Sequence, residues 1–207
     1  MNSSDRIIEI IHFWFEGIGD GTIIDNKITP FSKWFTKNPQ FDHLIQKRFE
    51  VDLKNAAEGN YTAWEQSMRG RLALILLFDQ FSRNMYRNTP SMFAYDDRAL
   101  ALSLKSIQEK KDKDLLLIQR VFLYMPLQHA EDLSVQKLSL RCFQRLLDDS
   151  RTVNPTNAAY FKYNYTYAQK YFEIIERFGR FPHRNAILNR SSTQEEMIFL
   201  KQPGSSF

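Results

Sequence analysis

Residues 71–81 read Arg71-Leu72-Ala73-Leu74-Ile75-Leu76-Leu77-Phe78-Asp79-Gln80-Phe81. The stretch is apolar on every side, and on a helix that means burial on all faces. Amphipathic segments surround it. Ser3, Ser4 and Asp5 offer caps to a helix carrying Ile7, Ile8, Ile10, Ile11, Trp14 and Phe15, which should end near Gly17. Residues 18–29 read as a loop, and Pro30 can open a short helix with Trp34 and Phe35. Asn38-Pro39 places a cap before a proline at the first helical position. The helix it starts shows Phe41, Leu44, Ile45, Phe49 and Leu53 at three-to-four spacing and stops at Gly59.

Beyond the buried stretch the pattern continues. Asp96 or Asp97 caps a helix, Lys110 to Lys113 forms a turn, and Leu115 to Met125 is helical up to Pro126. Glu131 to Leu147 follows, with Leu133, Leu140, Phe143 and Leu147 facing inward. Asn154-Pro155 starts a long helix to Phe178 that Gly179 ends in a left-handed turn, and Ser192 with Glu195 suits a capping box for a last short helix. The spacing predicts one all-α domain over residues 1–207 with about eight or nine helices.

Composition agrees. Of 207 residues only fourteen are glycine or proline, too few for an all-β chain of frequent turns. Leucine occurs twenty-one times and valine four times, which favours helix. The net charge of +4 is mild for a nucleic-acid binder. The single cysteine, Cys142, cannot form an internal disulfide, and the longest strictly apolar run, Leu72 to Phe78, is far short of a membrane span. No secretory leader is evident at the N-terminus. The expectation is a cytoplasmic protein that needs no membrane, with nucleic acid an unlikely partner and no cofactor or metal implied.

Three polar clusters interrupt this helical pattern. In the first, residues 78–87, Asp79 and Arg83 are four apart and can pair along one helical face. Arg83 and Arg87, also four apart, would point the same way and present forked donors to a carboxylate or phosphate; a structural ion pair at a helix end is the alternative. In the second, residues 124–132, His129 and Asp132 are three apart and can share a face, while Glu131 points elsewhere. An imidazole beside a carboxylate serves general acid–base work or half a metal site, and equally describes a structural histidine. The third, residues 177–194, holds four arginines and one histidine with no acid. Its arginines and phenylalanines could clamp an anion, stack on bases, or anchor a C-terminal turn. The first and third echo each other: Phe81-Ser82-Arg83-Asn84 resembles Phe181-Pro182-His183-Arg184-Asn185, which suits two walls of one cleft.

The phrases Asp79-Gln80-Phe81-x-Arg83-Asn84-x-Tyr86-Arg87, Tyr124-Met125-Pro126-x-x-His129-x-Glu131-Asp132, Arg177-Phe178-Gly179-Arg180-Phe181-Pro182-His183-Arg184-Asn185 and the terminal Gly204-Ser205-Ser206-Phe207 together resemble the bacterial domain-of-unknown-function family numbered 924 over nearly the whole chain. The resemblance implies a tetratricopeptide-like α-α superhelical array, and the family carries no assigned activity. Its polar signature falls here on Asp79, Arg83, Asn84, Arg87, His129, Glu131, Asp132, Arg180, His183, Arg184 and Asn185. The chain departs from the family pattern with Ser82 in place of a proline, Asn88 and Asn189 in place of glycines, and Tyr171 in place of a histidine. Asparagine tolerates positive φ, so both asparagines should sit in left-handed turns.

These observations lead to a cleft that binds an anionic small molecule or acidic peptide. Arg83, Arg87, Arg180 and Arg184 would supply charge, Asn84 and Asn185 orienting hydrogen bonds, and Asp79 and Glu131 would complete the ligand-binding set. The second reading is a hydrolase-like enzyme with His129 or His183 as base and Asp132 orienting, or, in a variant, with a metal on these three. A scaffold, and RNA binding through residues 177–190, are the remaining alternatives.

Overall fold

The computed structural model describes residues 3–24 and 31–205. Helix α1 (Ser3–Phe15) is followed by α2 (Phe31–Phe35), α3 (Pro39–Ala57) and α4 (Met68–Ile75). A π turn, Leu76–Phe81, joins α4 to α5 (Ser82–Met85). Then come α6 (Asp96–Gln108), α7 (Leu117–His129), α8 (Leu133–Val153), α9 (Ala158–Phe178) and α10 (Gln194–Leu200). With α4, the π turn and α5 counted as one rod, the described residues form nine helices and no strand, the all-α class and helix number that the pattern predicts. Pro30 and the loop residues 25–29 lie outside the described residues, as do Ser206 and Phe207.

Local signals set most helix ends. The Asn38 side chain accepts hydrogen bonds from the backbone N–H groups of Gln40 and Phe41. Gly179 adopts φ 68°, and Asn88 and Asn189 adopt φ 63° and 52°, the left-handed turns expected of them. Five expectations are corrected. Neither Asp96 nor Asp97 caps α6, which follows Tyr95 with no side-chain cap, and the Asp96 carboxylate is held by Arg83 instead. Helix α7 runs through Pro126 to His129. Leu123 and Leu127 are fully buried on either side, and that packing outweighs the backbone hydrogen bond the proline removes. Helix α8 begins at Leu133, not Glu131, and Leu133 is 37 % exposed instead of facing inward. The last capping box is Thr193 with Glu196, one residue beyond the expected pair.

Helix α4 lies at the centre, packed against α1, α6 and α7, while α6 to α9 pack in chain order, each on the next. Leu72, Ala73, Ile75, Leu76 and Leu77 have no exposed surface. The aromatic core closes around them. The Trp14 ring lies 5.4 Å from Phe81 and 5.6 Å from Phe122, and Phe49 lies 4.9 Å from Phe81.

The π turn carries the polar break in this apolar rod. The Ser82 N–H reaches back five residues to the Leu77 carbonyl. Side chains take up the carbonyls that the widened turn leaves over. Ser82 Oγ donates to Phe78 at 2.5 Å and Arg83 Nη1 donates to the Asp79 carbonyl at 3.1 Å. This arrangement buries Asp79 completely and turns it toward α7.

Candidate functional site

The three sequence clusters meet around Asp79. Its Oδ1 lies 2.6 Å from His129 Nδ1 and 3.2 Å from Arg83 Nη1, and its Oδ2 accepts from Gln80 Nε2 at 2.6 Å. Burial alone would push this carboxyl up. The Arg83 and His129 neighbours outweigh burial and hold it well below the usual carboxylate range. Burial in turn keeps His129 below the usual histidine range. An ionised carboxylate facing a neutral imidazole requires the shared proton on Nδ1, which leaves Nε2 as the basic nitrogen. The helix that continues through Pro126 is what delivers His129 to this point.

Arg83 extends the network. Its Nη1 and Nη2 donate to the two Asp96 oxygens at 2.7 and 2.9 Å, a bidentate fork. The other face of Asp96 meets Arg184, whose Nη1 is 3.6 Å from Oδ2. The Arg184 guanidinium is stacked between Phe93 and Phe181, 4.7 and 4.5 Å from their ring centres. Phe181 packs on Tyr171 at 5.4 Å, and Tyr171 packs on His129 at 6.1 Å. The chain of contacts closes on itself: His129, Asp79, Arg83, Asp96, Arg184, Phe181, Tyr171 and back to His129. His183 joins its rim, with its ring 5.6 Å from that of Phe181 and its titration pushed down to about 4 by burial and by Arg184.

The acid-free segment 177–194 is neutralised by acids from elsewhere, with one exception. Arg177 donates to Glu195 at 2.8 Å, and Arg180 forks onto Glu196 at 2.7 and 2.8 Å. Arg190 forks onto Glu131 at 2.6 and 2.9 Å, and the same carboxylate accepts from the Phe181 N–H at 2.8 Å. Among the described residues, Arg184 is left with one carboxylate contact, at 3.6 Å to the group that Arg83 already occupies. Its Nε is buried without an acceptor and the residue is 6 % exposed. Burial, with the Arg83 charge beside it, lowers Arg184 to about 10, so the guanidinium remains charged at neutral pH.

A model of the family of bacterial proteins of unknown function, DUF924, matches residues 10–204. The chain belongs to that family. No curated protein matches it. A solved structure, that of a protein of unknown function from Agrobacterium tumefaciens, is similar at 32 % identity and a TM-score of 0.77, with 97 % of this chain and 99 % of that chain covered.

Of the polar residues singled out in the sequence, Asp79, Arg83, His129, His183 and Arg184 gather at the ring, and Glu131 secures its Phe181 corner. The others serve elsewhere. Helix α5 ends at Met85, so Arg87 does not follow Arg83 in direction; Arg87 and Asn84 both bind Asp42 on α3, at 2.8 and 2.7 Å. Asp132 does not pair with His129. It is exposed at the start of α8, where its Oδ1 accepts from the Val135 N–H at 2.9 Å. Arg180 and Asn185 fasten the C-terminal segment to Glu196. Among the described residues no three histidine, cysteine, aspartate or glutamate side chains are grouped to hold a metal ion. For the RNA reading, Phe181 has no exposed surface for stacking on a base, while its neighbour Phe178 is half-buried against Phe199. No described helix is long and apolar enough to cross a membrane.

Asp96 and Phe93 are the ring members that sequence reasoning missed. Asp96 reads locally as a cap, and nothing in its spacing connects it with Arg83 or Arg184. Tyr171 was visible only as a departure from the family pattern. Two hollows lie apart from the ring. One of about 300 Å³ is lined by Phe78, Arg98 and Lys105 among others, and one of about 390 Å³ lies between α8 and α9. Neither includes a ring residue.

Proposed function

We propose that this DUF924 chain binds a small anionic molecule, a carboxylate or phosphate, at Arg184. The observation that carries the reading is the incomplete pairing of a buried cation. Three arginines of one segment have close carboxylates, while the fourth and most buried, Arg184, keeps an Nε without an acceptor among the described residues. A buried charge without a full partner costs stability, and a ligand carboxylate or phosphate would supply what the protein does not. The Phe93 and Phe181 rings hold the guanidinium in place at 4.7 and 4.5 Å without neutralising its charge. With Arg184 only 6 % exposed, a compact anionic group suits it better than an acidic peptide chain.

Calorimetric titration with phosphate, succinate and citrate tests the proposal, paired with thermal melts of Arg184→Met and Arg184→Lys. Binding that Arg184→Met abolishes and Arg184→Lys weakens about tenfold supports it. The melts add an independent sign. Methionine replaces an incompletely paired buried charge, so Tm holds or rises if Arg184 is kept for a ligand. A fall in Tm for Arg184→Met, with no heat from any of the three anions, makes Arg184 a fastening group of a scaffold and overturns the proposal.

A further inference from the structure

We infer that Asp79 and His129 form a general-base dyad, His129 as the catalytic residue and Asp79 as the positioning residue behind it, which activates water against an ester that carries the anion held at Arg184. The inference rests on the anion reading above and adds a reaction to it.

Three observations support it. The first is geometry: Asp79 Oδ1 and His129 Nδ1 are 2.6 Å apart, with Asp79 fully buried. Gln80 and Arg83 hold the carboxylate from its other sides, so the imidazole is oriented by a group that cannot itself swing. The second is access. Solvent reaches the imidazole, whose side chain is 13 % exposed, whereas the carboxylate behind it is sealed. The third is surroundings. The groups facing His129 are Asp79 on the π turn, Arg83 on α5, Asp96 on α6, Tyr171 on α9 and His183 beyond it. No hydroxyl or thiol nucleophile is among them: Tyr171 is held up to about 12 by burial, and Cys142 sits with Asp112 and Arg145 instead. The attacking oxygen therefore comes from water.

The reaction balances with water alone. As the water oxygen bonds to the acyl carbon, its proton passes to His129 Nε2 and the carbonyl electron pair moves onto oxygen. Collapse of that adduct breaks the bond to the alcohol oxygen, which recovers the proton from Nε2. Asp79 stays ionised throughout and offsets the transient imidazolium.

The probe is mono-p-nitrophenyl succinate, an ester with one free carboxylate, with neutral p-nitrophenyl acetate as control and succinate for binding. The wild-type chain should hydrolyse the succinate ester at least ~100-fold faster than buffer, and in preference to the acetate. His129→Gln and Asp79→Asn should each lose about 100-fold while still binding succinate. Loss of rate with succinate binding kept is what a structural role would not give, and nitrogen NMR of the intact protein checks the tautomer. At pH 7 the His129 signal, assigned among four histidines by its loss in His129→Gln, must show a protonated Nδ1 and a bare Nε2. Succinate binding without ester hydrolysis, or a proton found on Nε2, overturns the dyad and leaves the anion site standing. Absence of binding by succinate, phosphate and citrate alike removes both.

Discussion

Asp79→Asn changes no volume and removes one charge from the centre of the molecule. The carboxylate has no exposed surface, takes hydrogen bonds from His129 and Gln80, and faces Arg83 at 3.2 Å. At an effective dielectric of about 20, a unit pair at that distance attracts by about 5 kcal/mol. Asp96 keeps its fork on Arg83, so the guanidinium is not abandoned, and the net loss falls to about 3 kcal/mol, the lower end for breaking a buried pair from one side. The new amide also turns an NH₂ group toward donors that it cannot accept from. For a chain of this size the cost lowers Tm by about 6–12 °C. The sign with pH follows from the same residue. The folded carboxyl is held below its unfolded value, so its contribution is complete above pH about 4 and disappears progressively as pH falls below that. Thermal melts of both proteins from pH 7 to pH 3 should show a wide gap that narrows on acidification. A gap under about 2 °C at pH 7, or one that stays constant to pH 3, refutes the reasoning.

His183 works in the neighbouring pH window. Its titration near 4, against an ordinary value of 6.5, means the folded chain resists protonation that the unfolded chain accepts. Stability is therefore full above pH 6.5 and falls toward pH 4, by about 3 kcal/mol; in melts over that range His183→Gln should flatten the slope, and parallel slopes would contradict it. Asp132→Ala removes the cap of α8 and should lower Tm by about 2–4 °C, for a loss of about 1 kcal/mol, with no change in succinate binding by calorimetry. A Cβ on Gly70 would meet the Trp64 carbonyl at 2.0 Å, backbone that cannot yield without moving the turn before α4. Gly70→Ala should cost about 3 kcal/mol in chemical denaturation.

Much of the helical framework was legible because its signals are local. Asn38 caps, Gly179 turns left-handed, and the apolar spacing of residues 39–57 names Ile45, Phe49 and Leu53 as buried without reference to anything distant, although Leu44 of the same stripe is exposed. Errors arose where neighbours overruled the chain. Pro126 reads as a stop, yet full burial of Leu123 and Leu127 carries α7 past it, and His129 depends on that continuation. The polar motifs were legible as motifs but their partners were not. His129 was matched with Asp132, three residues on, when its carboxylate is Asp79, fifty residues back. Arg87 reads as aligned with Arg83, yet α5 ends at Met85 and Arg87 turns to Asp42.

By itself the sequence determined the helical class, most helix ends and the identity of the three polar segments, since these follow from hydrogen bonds and side-chain spacing within one or two turns. Tertiary structure decided which charges neutralise one another, because Coulomb energy depends on distance through space and not along the chain. Four arginines in an acid-free segment looked equivalent in sequence. Packing brought close carboxylates to Arg177, Arg180 and Arg190, and left Arg184 buried beside His129 and Asp79's ring with its charge only partly met.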